Sequence, residues 1–157
     1  MKKKRAPIFA ALALIAGLGL LPALLSTPAS AVDNMSSTDA PDLTSVRAKI
    51  KAKDYASALA ELRKLADDVQ HADVYNLLGY TLRKTGDFKT SLTYYTKAIE
   101  MAPEHKAARE YLGELYVETG NMEKAREQLA VLAKLCPGGC EEREDLQKAI
   151  NAKSASN

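Results

Sequence analysis

The chain has 157 residues, one domain's worth, rich in Leu and Ala and with only 8 Gly and 6 Pro. Its formal charge of +2 is misleading: four of its 22 basic groups are Lys2, Lys3, Lys4 and Arg5, leaving 18 basic against 20 acidic residues beyond them. That balance offers no electrostatic basis for binding nucleic acid, and the absence of alternating β-branched runs excludes a sheet protein in favour of an all-α one.

Residues 1–31 have the three parts of a secretory signal: the basic start, an apolar stretch from Ile8 to Leu25, and the small-residue site Ala29-Ser30-Ala31. Cleavage is expected after Ala31, which places the mature protein in a bacterial periplasm or outside the cell. Because the apolar stretch is long, an uncleaved membrane anchor is the alternative, although Pro22 and the small residues weigh against it. Residues 32–41 are polar and small, and read as a flexible spacer.

From 42 to 71 two apolar stripes at helical spacing follow each other. Leu43, Val46 and Ile50 form the first; Tyr55, Ala58, Leu59, Leu62, Leu65 and Val69 form the second, with Asp54 as candidate cap. Residues 72–105 write the same arrangement more strongly, with Val74, Leu77, Leu78 and Leu82, then Phe88, Leu92, Tyr95 and Ile99. Between these runs Gly86 suits the left-handed conformation that ends a helix, and Asp87 suits the cap of the next. Residues 106–137 repeat the unit 34 positions on: Leu78-Gly79 returns as Leu112-Gly113, Gly86-Asp87 as Gly120-Asn121, and Pro103 as Pro137. Each proline stops a second helix, and each Leu-Gly glycine lets a neighbouring helix come close. In 138–157, Gly138-Gly139 breaks the chain before an acidic-to-basic stretch with Leu146 and Ile150 four apart. This predicts a polar capping helix over the last unit, with Ser154–Asn157 fraying.

The 34-residue unit resembles the tetratricopeptide repeat, carried by Tyr75, Leu78, Gly79, Leu82, Ser91, Tyr95, Ala98 and Pro103 in one copy. Leu112, Gly113, Tyr116, Ala125, Leu129, Leu132 and Pro137 carry it in the next, where Arg109 replaces the aromatic. The resemblance implies a right-handed superhelical stack of antiparallel helix pairs, with 42–71 as a divergent first repeat and a C-terminal capping helix. It also implies a concave groove lined by Asp73, Asn76, Tyr80, Arg83 and Lys84, then Ala107, Glu110, Glu114, Val117 and Glu118. Family members with a two-carboxylate clamp place basic or amide groups where Glu110 and Glu114 stand here, so only Asn76 matches that device. Glutamates four apart repel unless a cation sits opposite, and Arg83, Lys84 or a partner's lysines are the candidates. A merely solvated charged face is the competing reading.

Cys136 and Cys140 are the only cysteines, around Pro-Gly-Gly. An even pair in an exported chain suggests a disulfide, worth about 2 kcal/mol for so short a loop. The alternative is a thiol-redox or copper-handling protein using the same two residues, although the spacing is not that of thioredoxin-like sites. His71 and His105, at equivalent inter-repeat turns, read as turn residues rather than metal ligands. Tyr55, Tyr75, Tyr95 and Tyr116 read as core. No Gly-rich phosphate loop or nucleophile with a matched base is present in the sequence. The expectation is a non-enzymatic adaptor of the cell envelope, without cofactor or metal. It would hold a peptide or partner helix through Asn76, Tyr80, Arg83, Lys84, Glu110 and Glu114.

Overall fold

The computed structural model describes residues 40–156. The signal expected over 1–31 and nearly all of the spacer lie outside the described residues. Seven helices follow in order: α1 (Thr44–Lys51), α2 (Tyr55–Asp68), α3 (Ala72–Lys84), α4 (Phe88–Met101), α5 (Lys106–Glu118), α6 (Met122–Leu135) and α7 (Glu141–Ala155). Among the described residues there is no strand. Helices pair as α1 with α2, α3 with α4 and α5 with α6, each pair packs on the next, and α7 closes against both α5 and α6.

The turns are built by the devices the sequence advertises. Asp54 accepts a hydrogen bond from Ser57 N at the start of α2, Asp87 from Thr90 N at α4, and Asn121 from Lys124 N at α6. Gly86 and Gly120 both adopt positive φ, +87° and +82°. In the divergent first repeat the equivalent position is Lys53, a non-glycine at φ 59°. A side chain there crowds the following carbonyl, which costs about 1–2 kcal/mol. α4 ends at Met101 before Pro103, and α6 at Leu135 before Pro137. The two histidines are caps as well: His71 Nδ1 accepts from Asp73 N, and His105 Nδ1 from Ala108 N.

Packing follows from the small residues. Ser91 Oγ donates to the Gly79 carbonyl at 2.7 Å, holding α4 against α3. A Cβ on Gly79 would lie 2.6 Å from the Tyr95 ring, so the ring fills the space that the glycine leaves. In the next repeat the same role passes outside the pair: a Cβ on Gly113 would lie 2.4 Å from Leu146 of α7. The core is continuous in kind, from Leu43, Val46, Leu62 and Leu78 at one end, through Tyr95, Leu112 and Leu115, to Leu132, Leu146 and Ile150 at the other. Tyr75 and Tyr95 are fully buried, whereas Tyr55 and Tyr116 are only half-buried.

Two details differ from the sequence reading. The expected fraying from Ser154 does not begin there, because α7 runs on to Ala155 and Ser154 Oγ donates to the Ile150 carbonyl. The first helix of the divergent repeat is also only eight residues long, two turns against nearly four for its neighbours. Cys136 and Cys140 are disulfide-bonded, with Cα atoms 6.0 Å apart. They form the last cap of α6 and the first of α7, so the bond ties the capping helix to the array.

Replacing Lys53 with Gly should stabilise the protein by about 1 kcal/mol by removing the side chain from a left-handed backbone. Gly79→Ala should destabilise it by about 1–3 kcal/mol, since the Tyr95 ring must move. Urea denaturation of both variants checks the pair; equal midpoints for Lys53→Gly and the wild type would refute the first.

Candidate functional site

α3, α5 and α7 lie side by side, and the residues they share along one face form the site. His105 Nε2 meets Asp73 Oδ1 at 3.0 Å, which fixes the start of α5 beside the start of α3. Since His105 Nδ1 already accepts from Ala108 N, Nε2 carries the proton and donates to Asp73. Toward the other end of the same two helices, Arg83 reaches across from α3. Its Nη2 donates to Glu114 and its Nη1 to Glu118, each at 2.6 Å.

Arg83 is 4% exposed, an unusual depth for a charge. Burial works against its ionisation, but Tyr95 and the two glutamates outweigh it, so the guanidinium holds its proton above the ordinary arginine range. Its carbon lies 5.6 Å from the centre of the Tyr80 ring and 5.8 Å from that of Tyr111, close enough for cation–π attraction. The Arg83 Nε and the Tyr95 hydroxyl are both buried without a hydrogen-bond partner. Of the cations proposed from sequence to face the glutamates of α5, Arg83 fills that place for Glu114 and Glu118. Lys84 is exposed and stands 5.3 Å from the centre of the Tyr80 ring.

The remaining residues of the face divide by depth. Asn76 is 4% exposed, and its Oδ1 has no hydrogen-bond partner. Tyr80 and Glu114 are half-buried, and Val117 is buried. Glu110 is 8% exposed, and among the described residues it makes no hydrogen bond or ion pair. Burial pushes its pKa up to about 8, helped by the negative charges of Glu114, Asp145 and Glu142 and opposed by Arg83. Glu110 is therefore mostly a neutral carboxylic acid at pH 7. Burial likewise raises Tyr111 to about 12, with Glu110 the next cause.

The sequence reading missed two features here. Tyr111 shares this face with Tyr80, their ring centres 5.0 Å apart, although its repeat position is that of the core residue Leu77. Glu142 and Asp145 fit a capping helix as dipole-favouring residues, yet their negative charge also bears on Glu110 across the packing of α7 on α5. The signal that could have found them was the spacing of Glu142 and Asp145, one turn apart on the helix that packs beside α5.

At the far end of the molecule, both sulfurs of Cys136 and Cys140 are consumed in the disulfide, and neither is a thiolate ligand in this form. Among the described residues no group of three or more His, Cys, Asp or Glu is placed to hold a metal ion. His71 and His105 both cap helices, and both rings stand against the Asp73 carboxylate, His71 Nδ1 at 3.7 Å and His105 Nε2 at 3.0 Å.

The family model described as the tetratricopeptide repeat matches residues 76–139. No curated protein matches the chain.

A carboxyl whose pKa is raised by folding loses stability as pH rises. The unfolded chain ionises near the ordinary 4.5, while the native carboxyl waits until about 8. The penalty is absent below the first value, grows through the window, and is complete above the second. Glu110→Gln removes the titration, so its stability advantage over wild type should widen by on the order of a few kcal/mol between pH 5 and pH 8. Thermal melts across that range test it, and parallel curves would refute the assignment.

Proposed function

We propose, for a chain whose residues 76–139 belong to the tetratricopeptide repeat family, that it is a non-enzymatic adaptor holding a protein segment on the α3–α5–α7 face. Repeats of this family generally mediate contacts between proteins, and the composition and export-like leader point to the cell envelope as the place of action. The observation that carries the reading is the character of that face. It offers half-buried aromatic surface at Tyr80 and Tyr111, an exposed cation at Lys84 and partly exposed carboxylates at Glu114 and Glu118. Flat aromatic surface beside fixed polar groups is the composition from which protein-binding hot spots are built.

The positions named from sequence take different parts in this reading. Tyr80, Lys84 and Glu114 are reachable by a partner, and contact it directly. Arg83 is committed to its two glutamates and its tyrosines, so it shapes and stiffens the surface from below. Asn76 and Glu110 form the floor, where only a side chain that enters between the helices meets them. The solvated-face alternative is disfavoured by the depth of Asn76, whose Oδ1 is fully buried with its bond unmade, a state seldom kept in folded proteins.

A photo-reactive aromatic residue placed at Tyr80, and separately at the exposed Arg126 of α6, tests the face against its opposite side. Crosslinks to a protein partner are expected from Tyr80 in cell-envelope preparations, at least about tenfold more abundant than from Arg126, the difference a single hot-spot contact supports. Equal yields from both positions, or yields from Arg126 alone, would overturn the reading.

A further inference from the structure

The adaptor reading leaves open what chemistry the face selects, and the environment of Glu110 bears on that. Glu110 is 8% exposed and makes no hydrogen bond or ion pair among the described residues, while its carboxyl oxygens are not fully enclosed and so stay open to an incoming group. Its surroundings disfavour its charge. Glu114 on its own helix and Glu142 and Asp145 on α7 all press negative charge on it. The nearest cation, Arg83, is already divided between Glu114 and Glu118. Asp145 has one further partner, Lys148, on the exposed side of α7 at 2.8 Å.

A second observation on the same face points the same way. Asn76 occupies on α3 the repeat position that Glu110 occupies on α5, and its Oδ1 is fully buried and unpartnered. Asn76 lies one turn along α3 from the contact between Asp73 and His105 that joins the starts of α3 and α5. The chain itself shows what such a setting accepts. One turn further along α5, a guanidinium inserted between carboxylates and tyrosine rings satisfies the same kind of surface. Glu110 has the carboxylates and the adjoining Tyr111 without the cation.

Resting on the reading of this face as a docking groove, we propose that its α5–α7 part receives a lysine or arginine side chain of the partner. The cation sits against Glu110, with Glu114, Glu142 and Asp145 around it, and Asn76 accepts from the partner's backbone or amide groups. The occupant is thus an extended basic segment of another protein. This polarity is the reverse of a clamp that grips a terminal carboxylate, which needs cations where Glu110 and Glu114 stand. Taking up the cation favours the ionised form of Glu110, which gives up its proton to pair with it, and screens Glu114, Glu142 and Asp145 from one another.

Three capped peptides of equal length test this, alternating alanine with lysine, with glutamate or with serine. Each is titrated into the protein while backbone amide chemical shifts are followed. The lysine peptide should shift amides around Glu110, Glu114, Glu142 and Asp145 and bind at least about tenfold more tightly than the other two, as a charge-assisted contact provides. Glu110→Gln, which keeps shape and packing, should cost about tenfold in that affinity, and the surface pair Glu142→Gln with Asp145→Asn a similar factor. If the serine or glutamate peptide shifts the Tyr80 and Lys84 amides as strongly as the lysine one, the cation preference is wrong and the groove reading stands. Undiminished binding by Glu110→Gln and by the surface pair likewise overturns the cation preference alone. If no peptide shifts any amide of α3, α5 or α7, the cation site and the groove reading fall together.

Discussion

One buried guanidinium organises the polar half of this protein. Arg83 leaves α3, stands against two neighbouring tyrosine rings and ends on two carboxylates of α5, and it does so almost out of contact with water. A charge at that depth is tolerable only where its partners are fixed in advance, because desolvation must be matched by short, well-aligned bonds. The partners are fixed because they sit a turn apart on a helix whose start is pinned to α3 through His105 and Asp73. The register between the two repeats is thereby specified twice on this face, once at each end. Hydrophobic packing alone is less particular about sliding than a forked ion pair is.

That polar seam rests on close approach elsewhere. Helices α3 and α4 meet at Gly79, where the Tyr95 ring lies against bare backbone and Ser91 bonds the glycine's carbonyl. Gly113 offers the same bare surface one repeat later, but Leu146 of the final helix takes it. α7 is therefore more than a polar cover. By seating Leu146 at that glycine it brings its acidic first turn alongside α5, and the charge around Glu110 is a by-product of how the array ends.

Most of the architecture was legible because it is encoded locally. Asp87, Gly86 and Pro103 act on the backbone within a few residues of themselves, so their spacing alone marks helix, turn and helix. Buried positions such as Leu78, Tyr95 and Leu132 were legible for a similar reason, as helical periodicity shows which side of a helix is apolar. What stayed hidden depends on contacts between helices. Tyr111 shares a repeat position with a core leucine, and only the packing of α5 on α3 brings its ring beside Tyr80. Glu142 and Asp145 look like favourable charges at a helix start until α7 is set down on α5. Whether Arg83 reaches outward to a partner or inward to Glu114 is likewise not a local property, since both readings fit the same spacing.

The short first helix gives the array a direction. Each repeat touches only its neighbours, so such proteins open from their ends rather than all at once. At one end stands α1, eight residues long and followed by a strained Lys53; at the other, α7 is tied back by a disulfide and anchored by Leu146 and Ile150. Loss of structure should therefore begin at the amino-terminal side and travel inward, with the α5–α7 seam among the last parts to open. The weakest segment then lies at the opposite end from α7, and the α3–α5–α7 face keeps its shape while that end breathes.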